Sequence, residues 1–176
     1  MAEDDDRQVL RAAAHPLRLR MLSLLTGTAM SAAEVARELG ITHANASYHL
    51  RVLARAGEVV EAGEEKVRGG TAKRYRHEWD DRHREAGARP REIGLEVRTM
   101  GQELVRRVAE RETGRGHSYF CDAELWVDEE TWARALALVE EAGRLVHDAA
   151  QPPRTAGTRR TNLTVAAFGM TPGGTP

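Results

Sequence analysis

Between Gly40 and Gly57 the chain carries no acidic residue, although 30% of the whole sequence is charged. Inside that window stand His43, Asn45, Ser47, Tyr48 and Arg51. Side chains of this polarity and moderate length reach base edges and phosphate oxygens. The chemistry implied is noncovalent: hydrogen bonds and charge pairing to a nucleic acid. The competing reading is a solvated amphipathic helix pair within some other helical protein, but such a helix in this chain is crowded with Glu and Arg.

These residues need a helix held at a fixed angle. Ser31 followed three positions later by Glu34 is a capping box, and Met30 with Val35 are spaced as a hydrophobic staple. A helix therefore starts at Ser31, buries Val35, Ala36 and Leu39, and ends at Gly40. Thr42 caps a second helix from His43 to Arg55, in which Ala46, Leu50 and Leu53 recur at buried-face spacing. The short connection from Gly40 to Thr42 makes the pair a helix-turn-helix. Upstream, Asp6 is placed to cap a helix through Val9, Leu10 and Ala13, and His15-Pro16 opens another to Thr26. This last helix turns Leu17, Met21, Leu24 and Leu25 inward, with Arg18 and Arg20 near its solvent edge.

After Gly57 the pattern changes to period two. Glu58 to Ala62 and Thr71 to Arg76 read as two strands of a hairpin tipped by Gly69-Gly70. Arg68, Lys73, Arg74 and Arg76 make this wing basic and suit it to phosphate or minor-groove contact. From Arg7 to His77 there are 12 basic and 6 acidic residues; from Glu78 onward there are 14 and 17. The positive half is the half with the helix-turn-helix.

The phrases AHPLRLRMLSLL, SAAEVARELGIT, ASYHLRVLARAGEVV and VRGGTAKRYR together resemble the winged helix-turn-helix of the ArsR-type bacterial transcriptional regulators. The resemblance runs from about Asp6 to His77 and is most specific from Ser47 to Gly57. It implies a homodimeric repressor, less often an activator, that binds a short inverted repeat in double-stranded DNA and answers a chemical signal. It also implies DNA contacts by His43, Asn45, Ser47, Tyr48, His49 and Arg51, with Arg68, Lys73 and Arg74 from the wing. Metal-sensing relatives carry a cysteine pair or an acid-histidine set. Here Cys121 is the single cysteine and Asp81-x-His83 stands without a matching histidine pair, so no metal and no cofactor is expected.

From Trp79 to Arg89 the chain reads as a charged connector. Pro90 then opens a long helix to about Glu112, with Ile93, Val97, Met100, Leu104 and Val108 as a coiled-coil-like seam. The seam suits a dimer interface better than packing on its own domain. Glycines at 114 and 116 mark a boundary. Beyond it Tyr119 to Val127 alternates as a strand, Asp128-Glu129-Glu130 opens a helix, and Asn162 to Phe168 reads as a last strand. In that unit Cys121 is expected in the core, and Phe120, Trp126 and Trp132 are expected either in the core or lining an apolar effector pocket.

The expected fold is therefore α+β: a winged helix-turn-helix over 1–78, a linker and dimerisation helix over 79–116, and a strand-helix-strand unit over 117–176 for dimerisation or effector binding. No glycine-rich phosphate loop, nucleophile-histidine pair or prominent carboxylate pair points to an enzyme. No run of about 18 apolar residues points to a membrane, and the acidic start MAEDDDRQ is unlike a signal peptide, so a cytoplasmic protein is expected. The alternative from another class is a winged-helix interaction module that binds no specific DNA.

Overall fold

The computed structural model describes residues 15–67, 70–79, 93–112 and 118–170. Helix α1 spans Pro16–Gly27, with Pro16 in the first turn, where its missing N–H is not needed, and His15 Nδ1 accepting from the Leu17 amide. The two-residue strand β1, Met30–Ser31, leads into α2, Ala32–Leu39. Both halves of the Ser31-Glu34 capping box are formed, and Gly40 closes the helix at φ 65°, a left-handed conformation that glycine adopts without strain. Helix α3, His43–Arg55, begins with the Thr42 hydroxyl accepting from the Asn45 amide at 3.2 Å.

Strands β2 (Val60–Val67) and β3 (Gly70–Arg76) form the wing, and the antiparallel sheet runs in the order β1-β3-β2. Tyr75 pairs with Met30 and Arg74 with Ser31, while Val60 pairs with Arg76 and Val67 with Gly70 across an irregularity between Glu61 and Glu64. The α+β winged helix-turn-helix expected from the sequence is thus the fold observed. Two details differ. The first wing strand begins at Val60 and runs beyond Ala62, because ladder pairing with β3 carries residues 63–67, three of them charged, that have no strand periodicity of their own. Strand β1, at two residues, is too short to show a period in the sequence, where Met30 and Ser31 carry only staple and cap signals.

The core lies where α1, α2 and α3 converge above the sheet. Met21 and Leu25 from α1, Val35 from α2, and Ala46, Leu50 and Leu53 from α3 are fully buried. Val59 and Tyr75 close it from the sheet side, and the His77 amide donates to the Leu25 carbonyl at 3.1 Å.

Helix α4, Ile93–Ala109, packs against α1 in its own chain. The face it buries is centred on Thr99 and Glu103; of the expected seam, Val97 is exposed while Met100, Leu104 and Val108 are half-buried. Glu103 accepts from both Arg106 Nε and Nη2, at 3.0 and 2.8 Å, so this carboxylate is buried with its charge met. A charged position can therefore occupy the inner face, which an apolar count does not anticipate.

Helix α5, Glu129–Asp148, begins where expected, with Asp128 accepting from the Thr131 amide at 2.7 Å. The flanking strands do not form. Residues 118–128 and 158–170 run without turn or bend and pair with no strand among the described residues. Alternating apolar residues favour a strand only when a neighbouring edge supplies the ladder. Cys121 is exposed rather than in a core, and no residue of α5 is buried. Phe120 and Trp126 are exposed as well, and Trp132 is half-buried.

The helix expected from Asp6 to Ala13, Arg68, Gly69, the connector with Asp81 and His83, and the glycines at 114 and 116 lie outside the described residues. Leu50→Ala should destabilise the protein by about 2–5 kcal/mol, as buried leucine truncations do. Urea unfolding measures it, and a cost below about 1 kcal/mol would place Leu50 outside the core.

Candidate nucleic-acid interface

Committing Ala46, Leu50 and Leu53 to the core rotates the opposite side of α3 to solvent. At 100° per residue Asn45, Tyr48 and Arg51 fall on that side, Ser47 lies at its edge, and His43 is left open in the first turn. His43, Asn45, Tyr48 and Arg51 are exposed and Ser47 is half-buried. His43, Ser47 and Arg51 face a groove of about 440 Å³ whose far wall is the wing residues Val67, Ala72, Lys73 and Tyr75, and whose floor is the start of α2. Arg51 is steadied by its own helix, Nε donating to the Ser47 carbonyl at 3.2 Å, and no carboxylate pairs with it among the described residues. Its terminal nitrogens remain available to an outside acceptor. Asn45 and Tyr48 lie on the same exposed helix surface but do not line the groove.

His49 is placed elsewhere. It is 7% exposed and sits three residues from Ala46 and four from Leu53, on the inner side of the helix. Its Nδ1 accepts from Arg18 Nε at 3.2 Å, and its ring lies 5.0 Å from His15 and edge-on to Tyr48 at 5.2 Å. Arg18 is correspondingly buried and not at the solvent edge. His49 and Arg18 therefore join α3 to α1 from behind and leave the groove to other residues. The signal was in the spacing, because position 49 belongs to the 46, 50, 53 stripe.

The wing is less free than its sequence suggests. Lys73 Nζ pairs with Glu61 at 2.8 Å, and this contact, made first by the hydrogen bond and then by charge, raises the lysine's pKa. Arg74 is a strut: its guanidinium pairs with Glu65 and Glu34 and donates to the Ala29 carbonyl. It ties β3 to β2 and to the capping box of α2. Burial alone pushes the Glu34 carboxyl up, but hydrogen bonds from the Ser31 amide and hydroxyl, with Arg74 and Arg37 nearby, outweigh it and hold the group below its ordinary range. Of the wing cations placed by sequence, Lys73 reaches the groove, Arg74 is bound inside the protein, and Arg68 is outside the described residues.

Residues 13–60 match a family described as a helix-turn-helix domain. That stretch includes all of α1, α2 and α3 and ends where β2 begins. No curated protein matches the chain. The helix-turn-helix match and the exposed, acid-free face of α3 support a DNA-binding regulator. No helix among the described residues is long and apolar enough to cross a membrane, and no group of three or more His, Cys, Asp or Glu stands together there.

Burial, and then the charge of Arg18, push the pKa values of both His49 and His15 below the ordinary histidine range; for His49 the nearby His15 adds to this. Folding is then fully supported above the unfolded value of about 6.5. It weakens as pH falls below that value, because the unfolded chain takes up protons that the folded protein resists. His49→Gln keeps an acceptor for Arg18 and removes one titrating group. Thermal unfolding followed from pH 7.5 to 5 should show a smaller loss of Tm in the variant than in the parent; parallel curves would mean that His49 does not titrate in this window.

Proposed function

We propose that the protein is an ArsR-type transcriptional regulator that binds an inverted-repeat operator as a homodimer and represses by occluding the promoter. The observation that carries this reading is the groove between α3 and the wing, where His43, Ser47, Arg51 and Lys73 converge with no acid on the helix face. Arg51 is the residue best placed for a guanine edge or a phosphate, and His43 and Ser47 supply shorter donors and acceptors beside it. Lys73 serves a flanking phosphate as a point charge once it exchanges Glu61 for the DNA backbone. Two copies related by a two-fold axis would set their α3 helices in successive major grooves about 34 Å apart.

The role is one of binding and not of catalysis, in the cytoplasm, with no cofactor or metal assigned. A small-molecule effector is compatible with the same reading. The charge pairing within the wing, Lys73 with Glu61 and Arg74 with Glu65, favours the second reading, an interaction module without specific DNA binding. Selection of bound sequences from random duplex DNA separates the two. An enriched inverted repeat upholds the regulator; weak binding with no enrichment, lost at physiological salt, upholds the interaction module.

With the operator in hand, Arg51→Ala should weaken binding by roughly 5- to 150-fold, the span of one specific base contact. It should do so with unchanged thermal stability; unchanged affinity would remove α3 from the groove. Lys73→Ala should lower the slope of log affinity against log salt by about 1, and Glu61→Gln should raise affinity by releasing that lysine. A Lys73→Ala effect confined to base preference would contradict a phosphate contact.

A further inference from the structure

We propose that residues 119–127 of one copy pair as a β-strand with residues 161–169 of a second copy, and that the apolar face of α5 covers the resulting intermolecular sheet. The inference rests on the homodimer reading and supplies it with an interface.

Both segments have the makings of a strand and lack only an edge to pair with. In the first, Tyr119, Cys121, Ala123, Leu125 and Val127 share one face; in the second, Leu163, Val165, Ala167 and Gly169 do. Neither segment bends, and neither joins a ladder within the described residues of its own chain. Their apolar side chains stand in water, with Trp126 88% and Tyr119 87% exposed, and Phe120, Leu125, Val165 and Phe168 exposed as well. Helix α5 buries none of its 20 residues: on its apolar stripe Trp132, Leu136 and Val139 are only half-covered and Val146 is exposed.

The segments are held at their bases. Arg159 pairs with Glu112, Arg160 with Glu110, and Arg107 donates to Asn162, so the second segment starts from the end of α4. At the other end of α5 the His147 ring stacks on Trp79 at 4.3 Å, and the Gln151 backbone lies so close to Gly27 that a β-carbon there would fall 2.5 Å from its carbonyl oxygen. An anchored unit that exposes its apolar residues is built to meet another surface.

A second copy is the occupant that gives both segments a partner edge at once. One chain holds both strand segments and a covering helix, and a two-fold axis lets each segment find its complement with no third molecule, in a closed assembly. Pairing the first segment with itself about Ala123 would set Asp122 against Glu124 of the other copy, like charges across a ladder. Residues 161–169 carry no charge, so the heterologous pairing avoids this. Counted over both faces of the strands, at about 150–250 Å² per aromatic side chain, Tyr119, Phe120, Trp126 and Phe168 hold on the order of 600 Å² per copy. Leu125, Leu163 and Val165 bring the open apolar surface near the roughly 800 Å² that each partner buries in a standard interface.

The test uses the full chain without DNA, combining mass by light scattering with amide exchange read by mass spectrometry. The expected result is a dimer whose amides in 119–127 and 161–169 exchange at least about 100-fold slower than free chain. In Trp126→Glu both segments should lose that protection while α1 to α3 keep theirs, and dimer dissociation should rise at least about tenfold. A monomer overturns both the sheet and the homodimer. A dimer with both segments freely exchanging overturns the sheet alone, as does a folded Trp126→Glu variant with parental mass and protection. Should that variant fail to fold, the parent's exchange pattern still decides. A dimer protected as expected that enriches no operator upholds the sheet and counts only against the DNA reading.

Discussion

Ala46, Leu50 and Leu53 are pressed without remaining exposure against Met21, Leu25 and Val35, and this burial fixes how far α3 is rotated about its own axis. A helix can turn only one face inward. Turning α3 by a single residue would swing its side chains through about 100°, bring Arg51 toward the core and expose leucines. The cost of several kilocalories per mole for such an exchange exceeds anything the polar face could return. The composition of the groove follows from this apolar contact, which involves none of the groove's own residues.

Around that contact, one residue type serves opposite purposes. Arg18 and Arg74 are drawn into the protein because acceptors meet them there: His49 for the first, and Glu34, Glu65 and the Ala29 carbonyl for the second. Arg51 finds no carboxylate and keeps its terminal nitrogens outward. The wing illustrates the consequence for electrostatics. Three glutamates on β2 lie across from the cations of β3, so the field the wing offers to phosphates is smaller than its arginines and lysine imply, and Lys73 must exchange a partner to reach one.

The C-terminal unit meets both helices that support α3. Gln151 abuts the end of α1 at Gly27, and Arg154 pairs with Glu38 on α2, while Trp79 and His147 stack between the end of the wing and α5. The same unit holds its extended segments open. Its anchoring is polar and aromatic, its open surface apolar, and the division separates what the chain completes alone from what it leaves for a partner.

Helix starts and stops were legible because caps and staples act within four residues: Ser31 with Glu34, Thr42 with Asn45, Asp128 with Thr131, and Gly40 at its left-handed φ all stand where the sequence put them. So did the inner stripe of α3 and, with it, the outward placement of His43, Asn45, Ser47, Tyr48 and Arg51. What the sequence could not determine were the commitments of residues to distant partners. His49 is claimed by Arg18 from 31 positions away and the Ala29 carbonyl by Arg74 from 45. Glu103 is buried beside the apolar seam because Arg106 meets its charge, and 119–127 alternates without forming a strand. Periodicity and capping are local and survive in any context, whereas an ion pair or a β-ladder exists only when folding brings its second half alongside.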